Sequence, residues 1–392
     1  MINKFKQITD TEKASILVIA FIIIRAFNIT INETIQLTAS NTIIIKLLII
    51  LLFFILNFFL ITLLNPKKRI LFIFSDISVC FLMILTYFRY PSIGFNLFLS
   101  YGWVIISFIP LLFALQCITD KQIFYNHLKW SSYIISICCT FIYFFHIRKL
   151  STNLVFSYTL LFPYLLHIVE LLYKKNYKIV FLFLIESYML LTYGARGTLV
   201  CSVLFIIIII NKIGIKNFKY IFTVCIALLI LYEILYISGF FTSLYEHFLA
   251  QGKYLRVLDL ISKGNFFNNN GRFDIYNNYF TLILEKPLLG WGLGADLFIG
   301  FFPHNIIIEL FFNFGLIMGF VFIFLIFIMV LYCFKKSNDC IFQILFGCGM
   351  LPLFFSFSYL EWMYFWVLLG YILHENKKFL INFINKVIHK LN

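Results

Sequence analysis

The sequence predicts an all-α fold: a polytopic integral membrane protein of about 12 transmembrane helices, with one long, partly helical loop on one side. Three observations carry this. Of 392 residues, 62% are hydrophobic and 12% charged, far from the balance of a soluble domain. Apolar runs such as 43–64 reach the roughly 20 helical residues needed to cross a hydrocarbon core about 30 Å thick. These runs are continuous where a transmembrane barrel would alternate, which excludes a β-barrel.

The predicted spans are 14–31, 43–64, 70–88, 93–118, 129–147, 153–173, 177–193, 197–212, 218–241, 304–333, 339–357 and 358–375. The first follows Lys4, Lys6 and Lys13, as a signal-peptide core would; no small-x-small cleavage pattern follows, so a retained span is expected. The others are justified by the charges between them. Segments assigned inside carry 20 Lys and Arg, and outside segments carry 9, five of them in the long loop. Both termini are then cytoplasmic. The chain divides into helices 1–9 (residues 1–241), the outer loop with interfacial helices (242–303), helices 10–12 (304–375) and an amphipathic cytoplasmic tail (376–392). A net charge of +14 would suggest nucleic acid in a soluble protein. Here the loop charges set orientation, and no nucleic-acid partner is expected. The nine Cys include no CxxC and read as small packing residues.

The connections are short except for the long loop, which is where function concentrates. Within it, 243–261 has a mostly helical apolar period, Asn268-Asn269-Asn270-Gly271 is a break, and 272–284 restarts as an aromatic-rich helix ending before Pro287. Arg272 follows Gly271 at that helix start, where a guanidinium and a helix N-terminus together suit an anion; the competing reading is a solvated loop arginine. Arg256, Lys253 and Lys263 add positive charge that topology does not ask of an outer loop, so an anionic partner is expected. Arg196 lies in Tyr193-Gly194-Ala195-Arg196-Gly197 at the same face; an arginine at a membrane edge is a functional candidate, against a snorkelling or capping role. His304, with Asn305, sits where the loop re-enters the membrane; a neutral imidazole there can take a hydroxyl proton, or can serve as an interfacial cap. His167 and His374 read as packing or interface residues. The run Pro287–Gly294 lacks the βαβ surroundings of a dinucleotide site and reads as a compact loop, with Trp291 available to stack on a sugar or to anchor at the interface. The carboxylates of the loop are scattered, which argues against a metal site.

Taken together, four motifs resemble one family. They are Gly-Ala-Arg-Gly at 194–197, Gly-Arg with an aromatic-rich helix at 271–280, Lys-Pro-Leu-Leu-Gly-Trp-Gly-Leu-Gly at 286–294, and His-Asn-x-x-x-Glu-x-x-x-x-Phe-Gly at 304–315. In order and spacing they resemble the O-antigen polymerase and ligase superfamily, over about residues 190–320. The N-terminal half carries no matching motif. The resemblance implies a bacterial inner-membrane glycosyltransferase acting on the periplasmic side, metal-independent, inverting and without a cofactor. Its donor would be an oligosaccharide on undecaprenyl pyrophosphate, lying in membrane lipid, and a chain-length regulator would be a further partner. Arg196, Arg272 and His304 would be the catalytic residues. Asn305, Gly271, Trp291, Arg256, Tyr276 and Glu309 would bind substrate. The residues after His304 look more like a polymerase than a ligase. The alternatives are an O-antigen ligase that transfers the glycan to lipid A-core and, in a different class, a polysaccharide transporter or flippase. A transporter would be expected to show pseudo-symmetric halves and polar residues at the membrane midplane, and neither is visible.

Overall fold

The computed structural model describes residues 9–34, 39–146, 154–193, 195–213, 234–251, 256–264, 271–336 and 339–377. Most of the span predicted at 218–241, Gly194, the 268–270 break and the tail beyond 377 lie outside these residues. Every regular element among them is helical: α1 (Asp10–Thr34), α2 (Ala39–Leu63), α3 (Pro66–Arg89), α4 (Asn96–Tyr101), α5 (Ile109–Leu115), α6 (Lys121–His146), α7 (Leu154–Leu172), α8 (Val180–Tyr193), α9 (Arg196–Ile213), α10 (Phe240–Ala250), α11 (Arg256–Ser262), α12 (Arg272–Glu285), α13 (Asp296–Ile299), α14 (Ile306–Lys336), α15 (Cys340–Gly349) and α16 (Met363–Glu375). Among the described residues, four helical stretches are both long and apolar enough to cross a membrane: Pro66–Arg89, Asn96–Leu115, Leu154–Leu172 and Ile306–Lys335. Shorter apolar helices at Leu47–Leu63, Arg196–Ile210 and Cys340–Phe354 fall on further predicted spans. The chain is a helical, multi-pass membrane protein.

The helices form two compact units. One comprises Met1–Ile22, Ile44–Leu128 and Gly271–Asn392; the other comprises Ile23–Ile43 and Lys129–Asn270.

In the first unit, α3 starts cleanly because Pro66 takes the first turn, where its missing N–H costs nothing, and Asn65 Oδ1 accepts from the Lys68 N–H at 2.9 Å. Only 17% of its apolar window is buried, so Phe74 and Phe88 face outward, as a lipid-contacting helix requires. The stretch 96–115 carries a π-helical turn at Val104–Phe108, and Asn57 Nδ2 satisfies the Ile106 carbonyl at 3.0 Å. At one end of this unit, Lys121 Nζ bridges Asp339 and Glu375 at 2.7 and 2.9 Å and ties the starts of α6 and α15 to the end of α16.

The second unit is built on α7. Its apolar window is 78% buried, the reverse of α3. Its interior polar groups pair with one another: His167 Nδ1 meets Glu186 Oε2 at 2.8 Å, Ser136 donates to Glu186, and Lys129 and Lys174 both pair with Glu170. Here the predicted helix at 243–261 is met as α10, which ends at Ala250, and α11, which starts at Arg256; residues 252–255 lie outside the described residues.

Three predicted spans in the first unit differ from the expectation. The run 304–333 is one hydropathic stretch, yet α14 breaks at Gly315, whose φ of 76° and ψ of 174° are not helical. The part before the break is mostly buried, and the part after it is mostly exposed and is itself about 20 residues long, enough to span. The runs 339–357 and 358–375 hold only the short helices α15 and α16, with a 3-10 turn at Leu351–Phe354 and irregular chain between them. Pro352 opens that turn, and the polar run Ser356-Phe357-Ser358-Tyr359 follows it; its backbone and side chains are engaged elsewhere, as described next.

Candidate functional site

The break in α14 is where the loop is fastened. In an unbroken helix the Leu316 N–H would bond the Phe312 carbonyl. Instead it donates to the Pro287 carbonyl at 2.7 Å. The released carbonyls of Phe312 and Asn313 accept from the Trp291 and Gly292 N–H groups at 2.8 and 3.1 Å. Main chain therefore clamps 287–292 onto the break. The clamp needs glycine on both sides. Gly290 has φ 66°, and a Cβ there would lie 2.5 Å from the Gly315 nitrogen; a Cβ on Gly315 would lie 2.3 Å from the Leu288 carbonyl oxygen.

Trp291 is 7% exposed. Its ring stacks on Tyr90 and Phe312 with centroids 5.7 and 5.8 Å away, and its indole N–H donates to the Leu282 carbonyl at 2.7 Å. It packs the base of the loop. Helix α12, predicted at 272–284 and observed at Arg272–Glu285, is fastened by the buried Tyr279, whose hydroxyl donates to the Phe301 carbonyl and whose ring lies edge-on to Phe312 at 4.8 Å. Burial, and then the nearby Asp296, raise the Tyr279 phenol above its ordinary range, so it remains a donor. Asp296 is itself buried and accepts from the Tyr101 hydroxyl; burial raises its carboxyl to about 6.

This fastening presents two helix starts. Arg272 is the first residue of α12, after Gly271 at φ 74°, and no side chain caps that terminus. Among the described residues nothing pairs with the half-buried Arg272 guanidinium. Tyr276 lies four residues on, hence on the same helix face. The second start is that of α14. Asn305 Oδ1 accepts from the Ile307 N–H at 3.0 Å and so acts as the cap. His304 precedes it with φ 53°, a left-handed conformation uncommon for a residue with a Cβ. Its Nδ1 lies 3.0 Å from the Ser356 carbonyl. A carbonyl only accepts, so Nδ1 carries the proton and Nε2 of the neutral ring keeps a lone pair. Burial holds the imidazole below its ordinary range; the Ser356 hydrogen bond opposes this, and the Arg272 charge adds to it.

Glu309, one turn into α14, is fully buried. It accepts from the Ser358 hydroxyl and, at 3.3 Å, from the Tyr359 N–H. Asn313 Nδ2 donates to the Tyr359 hydroxyl at 2.9 Å. These contacts hold the segment whose Ser356 carbonyl orients His304. Ser356, Ser358 and Tyr359 were not among the expected site residues; the polar Ser-x-Ser-Tyr run in an apolar stretch was their one visible signal.

Arg196 is placed in the second unit, as the first residue of α9. The turn before it is fixed by the Ala195 N–H donating to Ser157 Oγ at 3.0 Å and by the Thr198 N–H donating to the Ala195 carbonyl at 3.0 Å. Arg256 likewise opens α11 in that unit. A cation in a first turn opposes the helix dipole, so neither arginine is there to stabilise its own helix. Among the described residues, no three His, Cys, Asp or Glu are grouped to hold a metal ion.

Residues 179–324 match the protein family described as O-antigen ligase. No curated protein and no solved structure matches the chain. The matched segment runs from the turn before α8 to beyond the break in α14 and contains every residue expected at the site. Enzymes of this family are of glycosyltransferase type and act on lipid-linked polysaccharide. The four motifs and the family match agree, and over residues 179–324 this chain is similar to the O-antigen polymerase and ligase superfamily.

Proposed function

We propose that the protein polymerises O-antigen or capsular repeat units, transferring a glycan from undecaprenyl pyrophosphate to the hydroxyl of an acceptor repeat unit at the periplasmic face of a bacterial inner membrane. The observation that carries this reading is the His304 corner. A neutral imidazole with its Nδ1 proton committed to Ser356 lies within electrostatic reach of an unpaired arginine at an uncapped helix start. Such a pair suits base and anion holder. His304 Nε2 takes the acceptor hydroxyl proton. The acceptor oxygen bonds to C1 as the C1–O bond to pyrophosphate breaks, in a single displacement that inverts the anomeric centre. The leaving pyrophosphate keeps the electron pair. Arg272 and the first N–H groups of α12 neutralise it, with no metal in the scheme. Gly271 admits the phosphate close to the backbone, and Tyr276 adds a contact to the donor. Asn305 and Glu309 act by holding the start of α14 and the 356–359 segment.

The description of the matched family favours a second reading, ligation of finished glycan to lipid A-core. A strain lacking the gene separates the two. Lipopolysaccharide with one repeat unit indicates polymerisation. Loss of all repeats from lipid A-core, with long polymer kept on the carrier, indicates ligation. Unchanged glycan on both lipids sinks both.

A further inference from the structure

At the C-terminal end of α3, two cations share one aromatic ring. The Arg89 guanidinium carbon lies 5.7 Å from the Tyr90 ring centroid, and Lys286 Nζ lies 5.0 Å from the same centroid. Lys286 Nζ also sits 3.5 Å from the Trp291 centroid and donates to the Tyr90 hydroxyl at 2.6 Å. Arg89 Nη1 donates to the Gly290 carbonyl at 3.1 Å. Among the described residues neither cation has a carboxylate partner.

A structural staple accounts for part of this. Arg89 complements the helix dipole, and Lys286 gains from the Trp291 ring face and the Tyr90 hydroxyl. It leaves most donors unspent. Arg89 keeps Nε and Nη2, Lys286 keeps ammonium hydrogens, and the Tyr90 hydroxyl, which accepts from Lys286, keeps its own proton. The surroundings say what can use them. Phe88, Leu288 and Leu289, close to the cations along the chain, are 72, 65 and 82% exposed. Helix α3 is a membrane-length, outward-facing helix, and Arg89 is its last residue. Cations at the end of a span, with exposed apolar side chains close to them along the chain, sit at headgroup depth with acyl chains beside them.

We propose that the Arg89–Tyr90–Lys286 corner binds the phosphodiester of an anionic membrane phospholipid, with its acyl chains against Phe88, Leu288 and Leu289. The Arg89 fork and the Lys286 ammonium grip the phosphate. Because Arg89 and Lys286 also hold Gly290 and Trp291, the lipid rests on the loop clamp. This inference does not depend on the glycosyl-transfer reading.

The test is native mass spectrometry of the full chain released from bilayer discs containing equal phosphatidylglycerol and phosphatidylcholine. Wild type should retain phosphatidylglycerol over phosphatidylcholine by roughly tenfold. Arg89→Gln with Lys286→Gln should lose one phosphatidylglycerol per chain and most of the preference. A wild type without preference overturns the proposal, as does a double variant that keeps it. If the double variant does not fold, Arg89→Gln alone, which leaves the Lys286–Trp291 contact intact, reads the same ratio. In discs that also contain undecaprenyl phosphate, displacement of phosphatidylglycerol from wild type but not from Arg89→Gln would overturn the assignment in favour of a carrier-lipid site.

Discussion

His304 and His167 both have a committed Nδ1, and they differ in what is left over. His167 is fully buried. Its Nδ1 meets both oxygens of Glu186, at 2.8 and 3.0 Å, and its Nε2 lies 3.3 Å from Ser132 Oγ. Every polar atom has a partner inside the same unit. His304 gives Nδ1 to a main-chain carbonyl, is half-buried, keeps the Nε2 lone pair, and feels the charge of Arg272. A histidine with nothing to spare builds structure. One with a lone pair in reserve can do chemistry.

The largest expected effect tests that difference directly. His304→Ala should lower kcat by about 10²–10⁴-fold while leaving the melting temperature nearly unchanged. His167→Ala should leave the buried Glu186 with only the Ser136 hydroxyl and no cation, at a cost of about 3–5 kcal/mol, with little change in activity per folded molecule. Thermal denaturation and chain-length analysis of both variants check this, and an exchange of the two phenotypes would refute it. Next in size, Arg272→Lys keeps the charge and loses the planar fork, so transfer should fall about tenfold or more. Wild-type kcat/KM in that variant would remove Arg272 from the anion site.

The clamp gives a smaller, structural contrast. Gly290→Ala should destabilise by about 1–3 kcal/mol because its Cβ meets main chain. Gly300→Ala, at φ 90° with open space around it, should cost only the backbone term of about 1 kcal/mol. Equal costs would mean that close approach is irrelevant. The smallest effect is on titration. His304 is held below the usual imidazole value of about 6.5, so it stays neutral, and active as a base, at pH values that protonate an ordinary histidine. The acid limb of the rate profile should therefore lie below that value. Arg272→Gln removes a repelling charge and should move His304 protonation upward, read by the pH dependence of its carbethoxylation. A limb above 6.5 in wild type would contradict the burial argument.

Much of this was legible in the sequence, for physical reasons that differ between elements. The Gly271-Arg272 helix start and the end of that helix before Pro287 follow from local rules, and both are observed. The placement of His304-Asn305 at the head of the next helix follows the same way. The break at Gly315 was hidden because hydropathy runs unbroken across it, and a lone glycine inside a span is ordinary. The gap between α15 and α16 was hidden for a similar reason, although Pro352 and the serines were in view. The partners of His304 and Glu309 lie about 50 residues further along, and no periodicity reports a contact at that separation. Trp291 was open to stacking on sugar or to anchoring; its packing against Tyr90 and Phe312 depends on α3, far away in the chain.

The loop clamp has one more consequence, for how freely this chain can vary. Its three hydrogen bonds use only main-chain atoms, so the side chains at Leu288 and Leu289, 65 and 82% exposed, contribute none of its geometry. Substitution at those two positions can alter surface chemistry without reshaping the fold. Gly290 and Gly315 have no such latitude. The invariants of this joint are the positions that carry no side chain at all.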